Sequence, residues 1–390
     1  MRICLVVNYF PALNESFVVN KAVSLIRRGH KVTIVCFRKN LHLQDAFEKY
    51  YFDDSRIDIK SFPDCQNRAT IILQAIKKPF LFFSSFNFNF KTFKRNFATA
   101  VYIHQLNSIK AKVVHFEKLE LGIFFASMMK SIKAMKVVSC DEPIDEVFLN
   151  NDEQQERLIS MLDKVQLVHC ISEKAKKDLL NVYHNAEKFF VNYPAVDTYY
   201  FTPANSPVKN KNFQIISVSK IQTSKGYLVA LKAIKKVSEK FESIQWNIIG
   251  DGPFLDELKF QIKKNNLEDV VNLLGVRSKD EVNSILNKAD CFLLTTFSEG
   301  VSTAVLEAMS KEMPIIVTGS ESITEAIEDG VDGLISPAND YEHVAANLER
   351  LIEEENLRVS LGKNAREKVL KKFTLQQQAE IFEKMYKSIM

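Results

Sequence analysis

Two glutamates stand on either side of the start of a predicted helix, at a spacing that could hold a ligand. Glu299 and Glu307 are separated by seven residues, and Gly300 directly follows the first of them. Ser302 or Thr303 suits the N-cap of the helix that follows. Because helical side chains lean toward the N-terminus, we expect Glu307 to point toward the same mouth as Glu299.

The start of that helix could bind an anion, since its first backbone N–H groups have no partner within the helix. Together with two carboxylates, it suits a ligand that carries both phosphates and hydroxyls, as a nucleotide sugar does. The residues expected to contribute are Gly300, Val301, Ser302, Thr303 and Ala304. When the stretch is considered alone, a solvated surface turn with two exposed glutamates fits it equally well.

Two lysines, Lys220 and Lys225, follow a predicted strand and precede Gly226. A nucleoside diphosphate gains negative charge as it leaves a sugar, and fixed cations can neutralise that charge without a metal. Each lysine alone would more often be a solvated surface residue, but the pair beside a glycine at a strand end favours a site. Lys220 and Lys225, together with Glu299, are therefore the candidate catalytic residues.

Length and composition indicate a soluble protein of two domains. The 390 residues suffice for two ordinary domains, and 46% of them are hydrophobic. A net charge of +4 is too small to argue for a nucleic-acid partner. The six cysteines are scattered without a CxxC pair, which favours buried free thiols in a reducing compartment. The N-terminal apolar run is too short for a signal peptide, and no apolar run of about 18 residues predicts a membrane span.

Strands and helices alternate from the first residues, which predicts parallel sheets with helices on both faces. Residues 3–7, a helix that ends at Gly29, and residues 32–37 form the opening βαβ unit of a Rossmann-like domain. His115 and His169 lie inside predicted strands and are expected to be satisfied core residues. Ligands of such sheets bind at the carboxyl ends of the strands. The candidate binding residues in loops at these ends are Asn14, Glu15, Ser16 and Asp141.

Residues 65–116 contain no Asp or Glu but hold many lysines, arginines and phenylalanines. Basic residues interleaved with aromatic ones are typical of a segment that lies on a membrane surface. We therefore expect residues 77–97 to contact an anionic membrane surface. The alternative is a helical face buried in the domain, with the phenylalanines as core.

The glutamate turn resembles the signature of one enzyme family. Glu299 and Glu307, set in a Ser-Glu-Gly turn that leads to Leu-Glu-Ala-Met, are similar to the retaining GT-B glycosyltransferases of family 4, also called glycosyl transferases group 1. Residues 8–17 resemble a segment of family members that build exopolysaccharide and lipopolysaccharide. Residues 220–226 resemble the family's Gly-Arg-Leu…Lys-Gly signature, and the Gly-Asp-Gly-Pro turn at 250–253 is also shared.

The resemblance implies an α/β protein of the GT-B fold, in which two Rossmann-like domains face each other across a cleft. The first domain, residues 1–203, would bind the acceptor, and its acceptor-binding residues would be Asn14, Glu15, Ser16 and Asp141. The second, residues 204–374, would bind a nucleotide sugar. The last helix, residues 375–390, would pack back on the first domain.

The resemblance also implies a bacterial hexosyltransferase that needs no metal or cofactor. It would move a sugar with retention from a nucleoside-diphosphate sugar to a glycan or lipid-linked acceptor in cell-surface polysaccharide synthesis. Glu307 would hold the ribose hydroxyls and Glu299 the sugar hydroxyls, while Lys220, Lys225 and the helix start would hold the diphosphate. The enzyme would be cytoplasmic and peripheral on the inner face of the cell membrane. The further donor-binding residues would be Gly252, Val276 and Arg277.

Two other functions stay open at this point. One is a non-catalytic GT-B subunit that binds a glycan or a partner transferase. The other is a GT-B sugar-nucleotide epimerase. Turnover with a broad panel of donors separates the first from an enzyme, and an assay without acceptor identifies the second.

Overall fold

The described part of the chain forms two compact units in a computed structural model. Unit 1 is Met1–Asn192 with Ala379–Met390, and unit 2 is Tyr193–Gln378. The side chains of Ser16, Arg68, Ala69, Ile72 and residues 90–96 are not described. The residues that the structure describes are 1–11, 16–39, 56–64, 68–77, 90–141, 151–204, 211–297, 300–319 and 321–390.

Unit 1 is built on a seven-stranded sheet with the strand order β3-β2-β1-β4-β5-β6-β7, in which all neighbours are parallel. The inner strands are mostly apolar and mostly buried on both faces, as a parallel sheet covered by helices requires. The strands are β1 (Arg2–Phe10), β2 (Lys31–Lys39), β3 (Ile57–Ser61), β4 (Val113–Phe116), β5 (Met135–Cys140), β6 (Leu167–Cys170) and β7 (Phe189–Val191).

The helices of unit 1 pack their apolar residues on both faces of this sheet. The described α-helices that precede unit 2 are α1 (Ser16–Arg27), α2 (Arg68–Lys77), α3 (Phe90–Ser108), α4 (Leu119–Phe125), α5 (Asp152–Leu162) and α6 (Glu173–Val182). Short 3-10 helices lie at Ala126–Ser131 and Ala186–Lys188. Within the described ranges, no helix is long and apolar enough to cross a bilayer.

The expectation that residues 77–97 lie on a membrane is wrong at Phe97. Its ring is fully buried in the core, and Val101, one turn further along α3, is buried beside it. A phenylalanine at helical spacing from other core residues faces the sheet and not the solvent. Residues 78–89 lie outside the described residues, and the side chains of residues 90–96 are not described.

The prediction of buried free thiols is confirmed for the described cysteines, while Cys65 lies outside the described residues. Burial raises the pKa of the Cys170 thiol to about 12, so this thiol is inert at neutral pH. The buried free cysteines are Cys4, Cys36, Cys140, Cys170 and Cys291.

A chain of four hydrogen bonds crosses the interior of unit 1. It joins Tyr386 Oη to His115 Nδ1 (2.6 Å), and His115 Nε2 to Ser139 Oγ (2.8 Å). It continues from Ser139 Oγ to His169 Nδ1 (2.8 Å), and from His169 Nε2 to the Asn192 carbonyl (2.8 Å). Because that carbonyl can only accept, His169 donates to it from Nε2. Ser139 then donates to His169 Nδ1, His115 donates from Nε2 to Ser139, and Tyr386 donates to His115 Nδ1. Burial lowers the pKa of both histidines well below the usual value, which keeps them neutral. The prediction that both histidines are satisfied core residues is confirmed.

Unit 2 is built on a six-stranded parallel sheet with the strand order β10-β9-β8-β11-β12-β13. The strands are β8 (Phe213–Val218), β9 (Ile244–Ile249), β10 (Val271–Gly275), β11 (Cys291–Leu294), β12 (Ile315–Thr318) and β13 (Leu334–Ser336). The helices are α7 (Tyr227–Lys240), α8 (Leu255–Lys264), α9 (Lys279–Leu286), α10 (Thr303–Ser310), α11 (Ile323–Ala326), α12 (Tyr341–Glu353), α13 (Glu355–Lys372) and α14 (Leu375–Ser388). The part of α14 from Ala379 onward belongs to unit 1.

The order of the strands defines where each unit should bind a ligand. In unit 2 the chain proceeds from β8 to β9 and β10 on one side, and then to β11, β12 and β13 on the other. The connections after β8 and β11 therefore leave the sheet in opposite directions, and ligands of open α/β sheets bind at the carboxyl ends of such a strand pair. The same reversal lies between β1 and β4 in unit 1. The loop that carries Lys220 and Lys225, here called the lysine loop, follows β8. The turn that contains Glu299 and Gly300, here called the glutamate turn, follows β11 in the chain.

Helix α10 ends in a Schellman motif that contains a glutamate where glycine is usual. The Glu312 N–H donates to the Met309 carbonyl (3.1 Å), and the Met313 N–H donates to the Ala308 carbonyl (3.2 Å). Glu312 has a φ of 58°, in the left-handed region. Helix α1 ends in the same motif with Gly29 at a φ of 83°, as the sequence predicted.

We expect Glu312→Gly to stabilise the protein by roughly 0.5–1 kcal/mol, because a side chain at left-handed φ costs energy that glycine avoids. The opposite exchange, Gly29→Glu, is the matched control. It should destabilise by about 1 kcal/mol through φ alone, since a Cβ at residue 29 meets nothing within 4 Å. Urea unfolding midpoints measure both changes, and a lower midpoint for Glu312→Gly would contradict the assignment of strain.

Candidate functional site

The loops after β8 and β11 are fastened to each other by hydrogen bonds. Thr295 Oγ1 donates to the Gly226 carbonyl at 2.9 Å. Thr296 Oγ1 and the next backbone N–H both donate to the Ser224 carbonyl, at 3.1 and 2.9 Å. Both threonines are buried. Lys225 lies between the two fastened carbonyls, so the structure holds it beside the start of the glutamate turn.

Glycine is required at two points where backbones meet in this site. Gly226 has a φ of 64°, and a Cβ on it would lie 1.8 Å from the Thr295 carbonyl oxygen. A Cβ on Gly252, in the loop after β9, would lie 2.2 Å from the Ile221 carbonyl oxygen. The loops after β8, β9 and β11 therefore approach one another as closely as backbone atoms allow.

Of the three candidate catalytic residues, the structure describes Lys220 and Lys225. Lys220 follows β8 and is exposed, whereas Lys225, at the end of the 3-10 turn Thr223–Lys225, is half-buried. Both lie on the loop that the threonines hold. Glu299 lies outside the described residues.

Helix α10 begins at Thr303 with Ser302 in the N-cap position, as the sequence predicted. The Ser302 side chain makes no capping hydrogen bond, so it does not occupy the N–H groups of the first turn. Val301 and Val305 are buried and anchor this turn in the core, while Gly300, Ser302, Thr303 and Ala304 stay half-buried. An anion above β11 would therefore meet a helix start whose position is fixed by packing.

Glu307 is half-buried in the second turn of α10. Burial raises the pKa of its carboxyl to about 7, and the Lys279 ammonium acts in the opposite direction. The carboxyl therefore exchanges its proton near neutral pH. No short motif in the sequence marks Lys279, which lies 28 positions before Glu307.

The loop after β10 presents an exposed apolar side chain beside a cation. Val276 is 47% exposed. The Arg277 guanidinium donates to the Val276 carbonyl at 3.4 Å and lies 3.9 Å from the Glu281 carboxylate. Helix α9 then begins with a capping box between Ser278 and Glu281. An exposed apolar residue at a strand end offers a surface on which a planar base can stack.

The candidate acceptor residues belong to unit 1, and the structure describes the side chain of one of the four. Asn14 and Glu15 lie outside the described residues, and Ser16 is described only as the first backbone residue of α1. Asp141 follows β5, and its carboxylate lies 3.1 Å from the Lys118 ammonium. Only Asp141 can therefore be compared with the expectation, and it does lie at the carboxyl end of a strand.

The structure reveals a buried ion pair that the sequence analysis did not predict. Lys21 Nζ donates to a Glu117 carboxylate oxygen at 2.6 Å, and both side chains are at most 2% exposed. The ammonium also lies 4.3 Å from the centre of the Phe382 ring. Burial lowers the pKa of Lys21 and raises that of Glu117, while their attraction opposes both shifts. The sequence did carry one signal of this pair, which is a lysine among the apolar residues of α1.

The described chain also contains a cavity away from the candidate site residues. A cavity of about 290 Å³ lies in unit 1, beside β2 and β3, and no candidate site residue lines it. Its basic lining residues are Arg2, Lys31, Arg56 and Lys60. Within the described ranges, no group of three or more His, Cys, Asp or Glu side chains is arranged to hold a metal ion.

Fold and site together define a class of protein. Two parallel-sheet units of Rossmann-like type, with cations, a helix start and a carboxylate at the switch point of the second, are the architecture of a GT-B glycosyltransferase. The solved structure of Anabaena HepE in complex with UDP-glucose has this fold. It superposes with a TM-score of 0.79 over 100% of both chains at 14% identity, a likeness that shows the fold alone.

Residues 201–368 match the family described as Glycosyl transferases group 1, so the chain carries a domain of that family. It is 26% identical to AmsK of Erwinia amylovora, named as an amylovoran biosynthesis glycosyltransferase, over 99% of this chain and 100% of that protein. It is also 26% identical to WcaL of Salmonella typhimurium, whose name assigns it as a glycosyltransferase to colanic acid biosynthesis, over 96% and 97% of the two chains. The protein is therefore a glycosyltransferase, and the resemblance of its sequence to glycosyl transferases group 1 is confirmed.

The raised pKa of Glu307 predicts a change of stability with pH. The folded protein holds this proton more tightly than the unfolded chain, whose glutamates titrate near 4.5. The resulting stabilisation is complete below pH 4.5 and is lost as the pH rises through about 7. Glu307→Gln has a neutral side chain at every pH. The melting temperature of the variant minus that of wild type should therefore increase as the pH rises from 4.5 through about 7. Glu268→Gln, at an exposed glutamate of the same unit, is the control. A difference that does not vary with pH would contradict the raised pKa.

Proposed function

We propose that this glycosyltransferase transfers a sugar, with retention, from a nucleoside-diphosphate sugar to a glycan or lipid-linked acceptor in cell-surface polysaccharide synthesis. The observation that carries the proposal is the fastening of the lysine loop to the glutamate turn at the switch point of unit 2. The named roles of the two relatives in exopolysaccharide biosynthesis support the product class.

In this proposal the donor binds unit 2. The diphosphate lies against the first-turn N–H groups of α10, with Lys220 and Lys225 as its counter-ions. Glu307 accepts hydrogen bonds from the ribose hydroxyls, and Glu299 from those of the sugar. The base stacks in the neighbourhood of Val276, in the loop after β10. The charges of these groups support the assignment. So do the positions of those that the structure describes, which follow β8, β10 and β11 in the same sheet.

The reaction breaks the bond between the anomeric carbon and a diphosphate oxygen, and forms a bond from the acceptor oxygen to the same face of that carbon. The acceptor proton passes to the departing phosphate oxygen, so no protein base is required. Lys220, Lys225 and the start of α10 stabilise the charge that the leaving diphosphate gains. Fixed cations of this kind supply the stabilisation that a metal would otherwise provide, so the proposal includes no metal.

The acceptor is assigned to unit 1, where Asp141 follows β5, and where Asn14, Glu15 and Ser16 come after β1 in the chain. The proposal gives these residues the task of binding acceptor hydroxyls. The position of Asp141 supports it in one respect, because its carboxylate lies at the carboxyl end of β5, 3.1 Å from the Lys118 ammonium, and carboxylate oxygens can accept hydrogen bonds from hydroxyls.

Lys225→Ala and Glu307→Ala should each weaken UDP binding at least about tenfold, because a hydrogen bond to a charged group contributes roughly 1.5–3 kcal/mol. Isothermal titration calorimetry measures the affinity, and circular dichroism verifies that the fold survives. Lys263→Ala, at an exposed lysine on α8 of the same unit, is the matched control. Unchanged UDP affinity in either site variant would refute the donor assignment.

The same enzyme preparation decides between the proposal and the two functions that the sequence left open. A glycosyltransferase converts a sugar nucleotide to nucleoside diphosphate at a rate that depends on the acceptor. An epimerase changes the sugar nucleotide without any acceptor. A non-catalytic subunit turns over none of a panel of UDP, GDP, ADP and dTDP sugars.

The proposal also places the enzyme on the cytoplasmic face of the membrane, where a lipid-linked acceptor would lie. Helix α2 supports this, because it exposes apolar residues just before the basic, phenylalanine-rich segment. Ile76 is 72% and Leu73 is 48% exposed, and Lys77 is exposed beside them. An apolar helix edge next to a cation is suited to an anionic lipid surface.

We expect the protein to bind vesicles that contain phosphatidylglycerol, with an affinity that falls as salt screens the charges. The double variant Ile76→Glu/Lys77→Glu should lose most of this binding, since each basic residue near the surface contributes on the order of 1 kcal/mol. Phe260→Glu, at an aromatic residue of unit 2 that is 58% exposed, is the control. Vesicle flotation measures binding, and equal flotation of all three proteins would refute the membrane proposal.

A further inference from the structure

A row of cations follows the edge of the unit 1 sheet at which its strands begin. Arg2 starts β1 and is paired in register with Lys31, which starts β2. Arg56 directly precedes β3, and its carbonyl accepts a hydrogen bond from the Val32 N–H at 2.8 Å, so it lies beside Lys31. Lys112 directly precedes β4, and its N–H donates to the Arg2 carbonyl at 2.9 Å. Four cations therefore stand at the starts of four neighbouring strands.

The end of helix α3 covers the face of the sheet on which Arg2 lies. Because successive side chains of a strand point to opposite faces, Arg2 shares the face of Cys4. Cys4 is packed in the core with apolar residues of α3. Ile109 directly follows that helix, and Arg2 Nη1 donates to its carbonyl at 2.9 Å. The row of cations and the end of α3 therefore meet on this face.

The cavity of about 290 Å³ in unit 1 lies where they meet, because Arg2, Lys31 and Arg56 line it together with Ile109. Lys60 is the fourth cation of its described lining. The acidic residue in that lining is Asp58, whose carboxylate lies 3.0 Å from the Lys60 ammonium. Four cations thus stand against one carboxylate.

This excess of positive charge suits an anion. Like charges at the same position of neighbouring strands repel each other, and an anion between them would remove the repulsion. Arg2 uses one of its five N–H donors on the Ile109 carbonyl. The buried side chain of Thr33 adds a hydroxyl to the lining. Guanidinium and ammonium groups of this kind bind phosphate oxygens through charge-assisted hydrogen bonds.

The volume of the cavity limits the size of the anion. Small-molecule sites enclose roughly 300–1,000 Å³, so a cavity of about 290 Å³ is at the lower end of that range. It has room for a phosphate or diphosphate group rather than for a whole nucleotide sugar. The residues proposed to bind the donor belong to unit 2, and none of them is among the described residues that line this cavity.

We propose that this cavity of unit 1 is a second anion site, which binds a phosphate or diphosphate group and is separate from the donor site. The proposal does not depend on the identity of the donor. A soluble phosphate compound and a lipid headgroup both carry the required group, and the two arms of the experiment distinguish them.

The first arm is calorimetric titration with inorganic diphosphate, while UDP at saturating concentration occupies the proposed donor site. Wild type should bind diphosphate with an affinity that falls as salt is added. Lys31→Met should weaken this binding at least about fivefold, because it removes one charge-assisted contact, and Lys31→Arg should retain it. Lys177→Met, at an exposed lysine on α6 of the same unit, is the matched control.

Asp58→Asn provides a test in the opposite direction. It removes the carboxylate from the described lining, so diphosphate affinity should rise about twofold or more. A gain of affinity is an outcome that a damaged fold does not produce. Circular dichroism verifies the fold of each variant, and UDP affinity should be the same in all of them.

The second arm is flotation with vesicles that contain phosphatidic acid, whose headgroup is a phosphate monoester. If the site takes a lipid headgroup, Lys31→Met should float less than wild type and Lys177→Met. If it takes a soluble compound, the three proteins should float equally while diphosphate affinity falls in Lys31→Met alone. The proposal is overturned if Lys31→Met equals wild type in both arms. It is also overturned if Lys177→Met loses as much binding as Lys31→Met, or if UDP affinity falls by the same factor as diphosphate affinity.

Discussion

The site depends on the hydrogen bonds that join the loop after β8 to the loop after β11. The bond from the Thr295 hydroxyl to the Gly226 carbonyl can form only because residue 226 has no side chain, since a Cβ there would lie 1.8 Å from the Thr295 carbonyl oxygen. A buried hydroxyl that loses its partner costs about 1–3 kcal/mol, which keeps the loops together. Lys225 is thereby positioned by backbone contacts between two loops that lie 69 residues apart in the chain.

The two units use their charges in opposite ways. In unit 1 the Lys21–Glu117 pair is removed from water, and its charges neutralise each other inside the fold. Such a pair contributes little net stability, although removing one partner costs roughly 3–5 kcal/mol. In unit 2, Lys220 is exposed and Lys225 half-buried, and Glu307 exchanges its proton near pH 7. Charges that keep contact with water can still be neutralised by a ligand, whereas those of the buried pair cannot.

Predictions that depend on residues close in sequence agree with the structure. The strands predicted at residues 3–7 and 32–37, the N-cap position of Ser302 and the helix end at Gly29 each follow from a few neighbouring residues. Composition alone misled at Phe97, because a count of aromatic residues does not tell which face of a helix meets the sheet. The spacing of residues 97 and 101 was the better signal.

The sequence by itself determined the alternation of strands and helices, the family, the loop that carries the two lysines and the helix that carries Glu307, since these follow from local periodicity and short motifs. Only the tertiary structure decided which distant groups meet. The threonine bonds to the lysine loop and the buried pair of Lys21 and Glu117 join residues far apart in the chain. Periodicity carries no information about such contacts, because they arise from the order in which strands assemble into the sheet.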